Sequence, residues 1–109
     1  VSDAPSDKHW KLDLRYGRRV TAFRHFTVIA DGMAGELGDG FTCRPGPAVM
    51  TMKAWAPDAD ESCAMIRAIG RQIGFTASGP VEIYETEAEK PPGENPYGYD
   101  IGFVPYDAD

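Results

Sequence analysis

The sequence predicts an α+β domain: an antiparallel sheet of about five strands, with one principal helix at about residues 59–73 packed on one face. Three observations predict it. Several short segments alternate apolar and polar residues. One segment alone repeats its apolar residues every three or four positions. Glycine and proline punctuate the chain between these segments. A length of 109 residues fits one domain. Residues 1–8 read as a flexible tail and residues 9–109 as that domain.

Trp10, Leu12, Leu14 and Tyr16 alternate with Lys11, Asp13 and Arg15, the period of a half-buried strand. Gly17-Arg18 then offers a turn into a second strand, Val20 to Ile29, so the two form a predicted hairpin. The connection Asp31 to Gly40 carries four glycines, with room for a short strand or helical turn. Arg44-Pro-Gly-Pro47 marks a further break. In the next strand Ala48, Met50, Met52, Ala54 and Ala56 share one face, small and adaptable enough to lie under a helix.

The helix follows at once. Asp58 suits the N-cap and Glu61 the third helical position, while Asp58, Asp60 and Glu61 complement the positive end of the dipole. Cys63, Ile66, Ile69, Gly70 and Ile73 form its apolar stripe, and Gly74 is placed to stop it. Gly70 implies a close approach to the sheet. After Gly79-Pro80 a fourth strand runs from Val81 to Thr86. Residues 90–96 hold three prolines and cannot be strand or helix interior. Alternation in the last strand places Tyr97, Tyr99, Ile101 and Phe103 on one face.

One helix cannot cover a sheet of this width. Trp55 and several strand aromatics are therefore expected on an unprotected face, which predicts a homodimer packed sheet on sheet, or a protein partner.

The formal net charge is −6, divided as +2 over residues 1–55 and −8 over residues 56–109. An acidic domain has no electrostatic drive toward nucleic acid or anionic membranes, so neither is expected as a partner. No apolar run approaches the length of a membrane span, and the N-terminal residues carry no apolar leader core, which predicts a cytoplasmic protein. Cys43 and Cys63 have no metal-ligand spacing. No metal or cofactor is expected, and idle thiols are the favoured reading over a disulfide.

The glycines at 32, 35, 38 and 40 resemble neither a phosphate loop, since no Gly-Lys-Ser/Thr follows, nor an EF-hand. His25 and Cys43 are the candidate catalytic residues, as a base and a thiol that Arg24 or Arg44 could activate. Tyr84, Tyr97, Tyr99 and Glu82 are the candidate binding residues, offering rings and hydroxyls beside carboxylates. With no complete catalytic signature, the preferred expectation is a non-catalytic protein-interaction or self-associating domain. The alternative is a small enzyme or ligand-binding protein with its site between helix and sheet or at a dimer interface.

Overall fold

The computed structural model describes residues 4–17 and 20–106. Its elements are α1 (Ala4–Arg15), β1 (Arg24–Ala34), β2 (Gly46–Ala56), α2 (Ala59–Ile73), β3 (Phe75–Glu85) and β4 (Tyr97–Pro105). The strands make one antiparallel sheet in the order β3-β1-β2-β4, with α2 packed on one face. The class is α+β, but the described residues hold four strands where the sequence predicts about five.

The strand predicted at residues 10–16 is helix. Its pattern is ambiguous because a spacing of four, Trp10 to Leu14, belongs both to alternation and to one face of a helix. Leu12 and Tyr16 settle the matter: they are 41% and 65% exposed, whereas Trp10 is buried. Gly17 ends α1 at φ 77°, so no hairpin turn forms there. Arg18 lies outside the described residues, as do residues 1–3 of the predicted tail. Residues 4–8 belong to α1.

The second predicted strand begins later than expected, at Arg24, and continues through Gly32 to Ala34. Arg24 to Ala34 pairs in unbroken register with Ala56 to Gly46. β3 starts at Phe75, earlier than the sequence indicates, and absorbs Gly79-Pro80 in a bulge where residues 78–80 oppose Asp31 alone. Proline is tolerated there because β3 is an edge strand.

The helix prediction holds closely. Asp58 caps α2 by accepting from the Glu61 N–H at 2.8 Å, and Gly74 closes it at φ 128°. Ser62 is buried on the stripe beside Ile66, Gly70 and Ile73, and Cys63 is only half-buried. The Ser62 hydroxyl donates to the Ala59 carbonyl at 2.7 Å, so its burial leaves no orphan donor. A Cβ on Gly70 would sit 3.0 Å from Met50 Sδ and 3.1 Å from Phe75, which accounts for the glycine.

The glycine-rich connection serves this helix. Gly35 donates to the Gly74 carbonyl at 2.9 Å and Gly38 to the Ile73 carbonyl at 2.8 Å, satisfying carbonyls that a helix end leaves open. Those two amides point at α2, where a phosphate loop would point them at an anion.

Between α2 and the sheet, Val28, Met50, Met52, Ile66 and Phe75 are essentially inaccessible to water. Each such side chain contributes roughly 1.5–3 kcal/mol by leaving water. A second, smaller cluster lies on the opposite face: Trp10, Trp55, Ala88 and Tyr99. Trp55 is thus covered, by α1 and the 86–96 connection, and not left bare. Among the described residues no helix is long and apolar enough to cross a membrane.

β4 corrects one further expectation. Asp100 and Ile101 together oppose Met52, a bulge with Asp100 at φ 54°. The extra residue switches the faces. Tyr97 and Tyr99 pair with Trp55 and Lys53 on the side away from α2, whereas Phe103 pairs with Met50 and packs, like Ile101, on the α2 side. The four residues do not share a face.

Candidate functional site

The second cluster gathers three of the six side chains that the sequence singles out, His25, Tyr97 and Tyr99. His25 opens β1 directly opposite Trp55 of β2, and the rings meet edge to face with centroids 5.1 Å apart. Its Nε2 lies 2.7 Å from the Tyr99 hydroxyl, and Nδ1 lies 3.2 Å from the Thr86 carbonyl and 3.1 Å from Thr86 Oγ1.

The tautomer follows from the neighbours. The Tyr99 oxygen already accepts from the Glu89 N–H at 3.0 Å and the Lys90 N–H at 3.3 Å. Its own proton therefore goes to Nε2, which must be the unprotonated nitrogen. Nδ1 carries the hydrogen and donates to Thr86. Both nitrogens are committed. A general base needs a lone pair within reach of a reactant, and here the lone pair is held by a tyrosine proton. His25 consequently organises the 86–96 connection and has no nitrogen left to meet a substrate.

The first part of that connection, residues 86–91, is pinned by side chains of the sheet. Trp55 Nε1 donates to the Lys90 carbonyl at 2.7 Å, and the Tyr97 hydroxyl to the Pro91 carbonyl at 2.5 Å. Lys53 meets Glu89 at 2.6 Å and Asp100 at 2.9 Å, and hydrogen bonds to the two carboxylates hold its ammonium well above the ordinary lysine range.

Burial pushes the His25 pKa below its ordinary value of 6.5, against a smaller opposing effect of the Thr86 carbonyl. The unfolded chain then binds more protons than the folded one as pH falls through that window, so stability present above 6.5 is lost toward the lower folded pKa. Urea midpoints measured from pH 8 down to 5 are expected to fall, with a slope of at most ~1.4 kcal/mol per pH unit. His25→Asn should flatten the curve in that window. An unchanged slope in the variant would show that another group carries it.

Next to His25 lies a cleft of about 610 Å³. One wall is α1, through Trp10, Lys11, Leu14 and Arg15, and the facing wall is Glu85 to Ala88. Phe23, Val20 and Thr21 close one end, and His25 and Trp55 form the floor. Trp10 and Trp55 meet edge to face with centroids 6.5 Å apart. Arg24 grips Glu85 with two hydrogen bonds, 2.6 and 3.2 Å, which holds the Glu85 carboxyl below its usual range. Lys11 lies 3.8 Å from Glu87. Arg15 has no ion pair among the described residues, leaving the lining with three cations and two carboxylates.

The other sequence candidates lie elsewhere. Cys43 packs against the core on the α2 side of the sheet, so it is not brought to His25, and its Sγ contacts the Arg44 carbonyl. Both cysteines are free. Tyr84 stands on edge strand β3, its hydroxyl donating to Glu82 at 2.5 Å. Among the described residues no group of three or more His, Cys, Asp or Glu is arranged to hold a metal ion.

Sequence reasoning missed Trp10, Leu14, Phe23 and Thr86 as site residues. The four-residue spacing of Trp10 and Leu14 is the one signal that could have found the wall of the cleft. Comparison with family models, with curated proteins and with solved structures finds no match.

Proposed function

We propose that the chain is a non-catalytic binding domain whose cleft between α1 and the sheet takes a small molecule with an apolar body and an anionic group. The observation that carries this reading is the cleft itself. Its volume of about 610 Å³ falls in the usual range for ligand sites, and its aromatic floor and walls carry a few placed polar groups. The excess positive charge from Arg15, on a protein of net charge −6, selects an anion over a cation. The committed nitrogens of His25 favour binding over catalysis.

The test uses 8-anilinonaphthalene-1-sulfonate, an aromatic anion whose emission rises on leaving water. Saturable binding is expected, with Trp10 and Trp55 emission quenched in parallel. Arg15→Glu should weaken it by about tenfold, equal to ~1.4 kcal/mol, and Leu14→Asp should abolish it. Equal binding by wild type and both variants would place the dye elsewhere and remove the basis of the reading.

A further inference from the structure

Among the described residues, the face of the sheet away from α2 is covered at one end, by α1 and the 86–96 connection, and the remainder is open. Its centre is formed by Ile29, Val49 and Thr51, all half-buried, and Gly102 stands opposite Thr51 without a side chain to rise above it. Around this strip Tyr84, Val104, Tyr106 and Met33 are each about half exposed, at 51%, 60%, 48% and 48%. Val49 pairs directly with Val104, and Ile29 lies diagonally between Val49 and Tyr84, with Glu82, Asp31 and Thr51 interspersed.

Carboxylates outnumber cations around it, although Arg44 donates to the Tyr106 carbonyl at 3.1 Å. Glu82 accepts from Tyr84, and Asp31 accepts from the Tyr106 hydroxyl, also at 2.5 Å. Neither carboxylate has an ion pair among the described residues. Lys53 is outnumbered by Glu89 and Asp100. Each tyrosine–carboxylate pair presents a ring face beside an anion whose second oxygen is open, a receptacle suited to a lysine or arginine head.

We infer that this open face is a docking surface for a basic, apolar-patterned segment of another protein, with cationic side chains on the Tyr84–Glu82 and Tyr106–Asp31 pairs and aliphatic ones over Ile29 and Val49. Charge decides the occupant. A second copy would set the same carboxylates against each other, which opposes the sheet-on-sheet homodimer that the sequence predicts. Anionic lipid and nucleic acid are repelled for the same reason. The inference stands whether or not the cleft holds a ligand.

The probe is a synthetic octapeptide alternating lysine and valine, with a glutamate–valine peptide as control, titrated into ¹⁵N-labelled protein. Amide shifts are expected at Ile29, Thr51, Glu82, Tyr84 and Val104 with the lysine peptide, and none with the control. The double variant Asp31→Asn, Glu82→Gln should weaken binding by about tenfold. Asp60→Asn with Glu61→Gln, which removes the same charge from α2, should leave it unchanged. Tyr84→Ala, which keeps both carboxylates, should also weaken it. Shifts spread over the whole acidic surface, or an equal loss in the α2 variant, would overturn the inference. So would a dimer seen by light scattering at micromolar concentration and dispersed by Tyr84→Glu, because a second copy would then cover the face.

Discussion

Replacing Gly32 by alanine is expected to cost about 3 kcal/mol or more, the upper end for overpacking, although it adds a single methyl group. A Cβ on Gly32 would stand 2.1 Å from the Thr76 carbonyl oxygen, 2.8 Å from the Ala77 Cα and 2.8 Å from the Phe75 ring. Two of these neighbours are backbone, and backbone in a paired strand cannot rotate away as a side-chain tip can. The bulge in β3 brings its chain across this glycine, and Phe75 is 1% exposed, so the ring has nowhere to go. A domain of this size loses roughly 4–8 °C of Tm per kcal/mol, so Gly32→Ala should melt at least about 12 °C below wild type. Gly40→Ala is the control. Gly40 has φ 82° but nothing within 4 Å of its Cβ position, so only the backbone penalty of about 1 kcal/mol remains. Equal melting of the two variants would mean that β3 does not pack over Gly32.

The contrast between these glycines shows which parts of the fold were legible in the sequence. Local rules were readable. Asp58 and Gly74 mark the ends of α2, and the small face from Ala48 to Ala56 announces the strand beneath it. The two bulges were not readable, because each depends on what the partner strand does. Nothing in Tyr97-Gly-Tyr-Asp-Ile-Gly-Phe103 marks Asp100 as the residue of positive φ, although aspartate tolerates that region better than most. One unseen residue was enough to turn Phe103 away from Tyr97 and Tyr99. Gly32 shares this difficulty: its need for glycine comes from residues 75–77, more than forty positions away.

The candidate site was legible in its members but not in their arrangement. His25 and Tyr99 were both named from sequence as polar groups of interest, yet a separation of 74 residues conceals a 2.7 Å hydrogen bond. The pairing of His25 as a base with the Cys43 thiol does not form, because the two side chains sit on opposite sides of the sheet. Alternation around residues 10–16 was read with the wrong period, and the cleft disappeared with the helix that walls it. The carboxylates of the C-terminal half have no single explanation. Glu85 and Glu89 neutralise Arg24 and Lys53, while Glu82 stays without a cation on the open face.

Trp10→Ala is expected to release α1 from the sheet while leaving the main core folded. A twelve-residue helix is marginal in water by itself, so α1 depends on docking. Trp10, 6% exposed against Trp55 and Ala88, is the buried residue among the described side chains of α1, with Leu14 half-buried behind it. Truncating a buried tryptophan costs roughly 3–5 kcal/mol in a core that must hold together. Here the chain has a cheaper outcome, because undocking α1 caps the loss at the docking free energy. α1 supplies 12 helical residues against 15 in α2, so the far-UV helical signal should drop by somewhat less than half. Trp55 emission should shift to the red as its cover leaves, and sulfonate-dye binding in the cleft should vanish. Amide exchange at Val28, Ala30, Met50 and Met52 should stay as slow as in wild type, since their cluster lies on the α2 side. A variant that keeps its helical signal and loses protection evenly across the sheet would contradict this, because it would make α1 part of the cooperative core. The expected pattern separates the two clusters energetically: the sheet and α2 set the global stability, and the tryptophan contact sets whether the cleft exists.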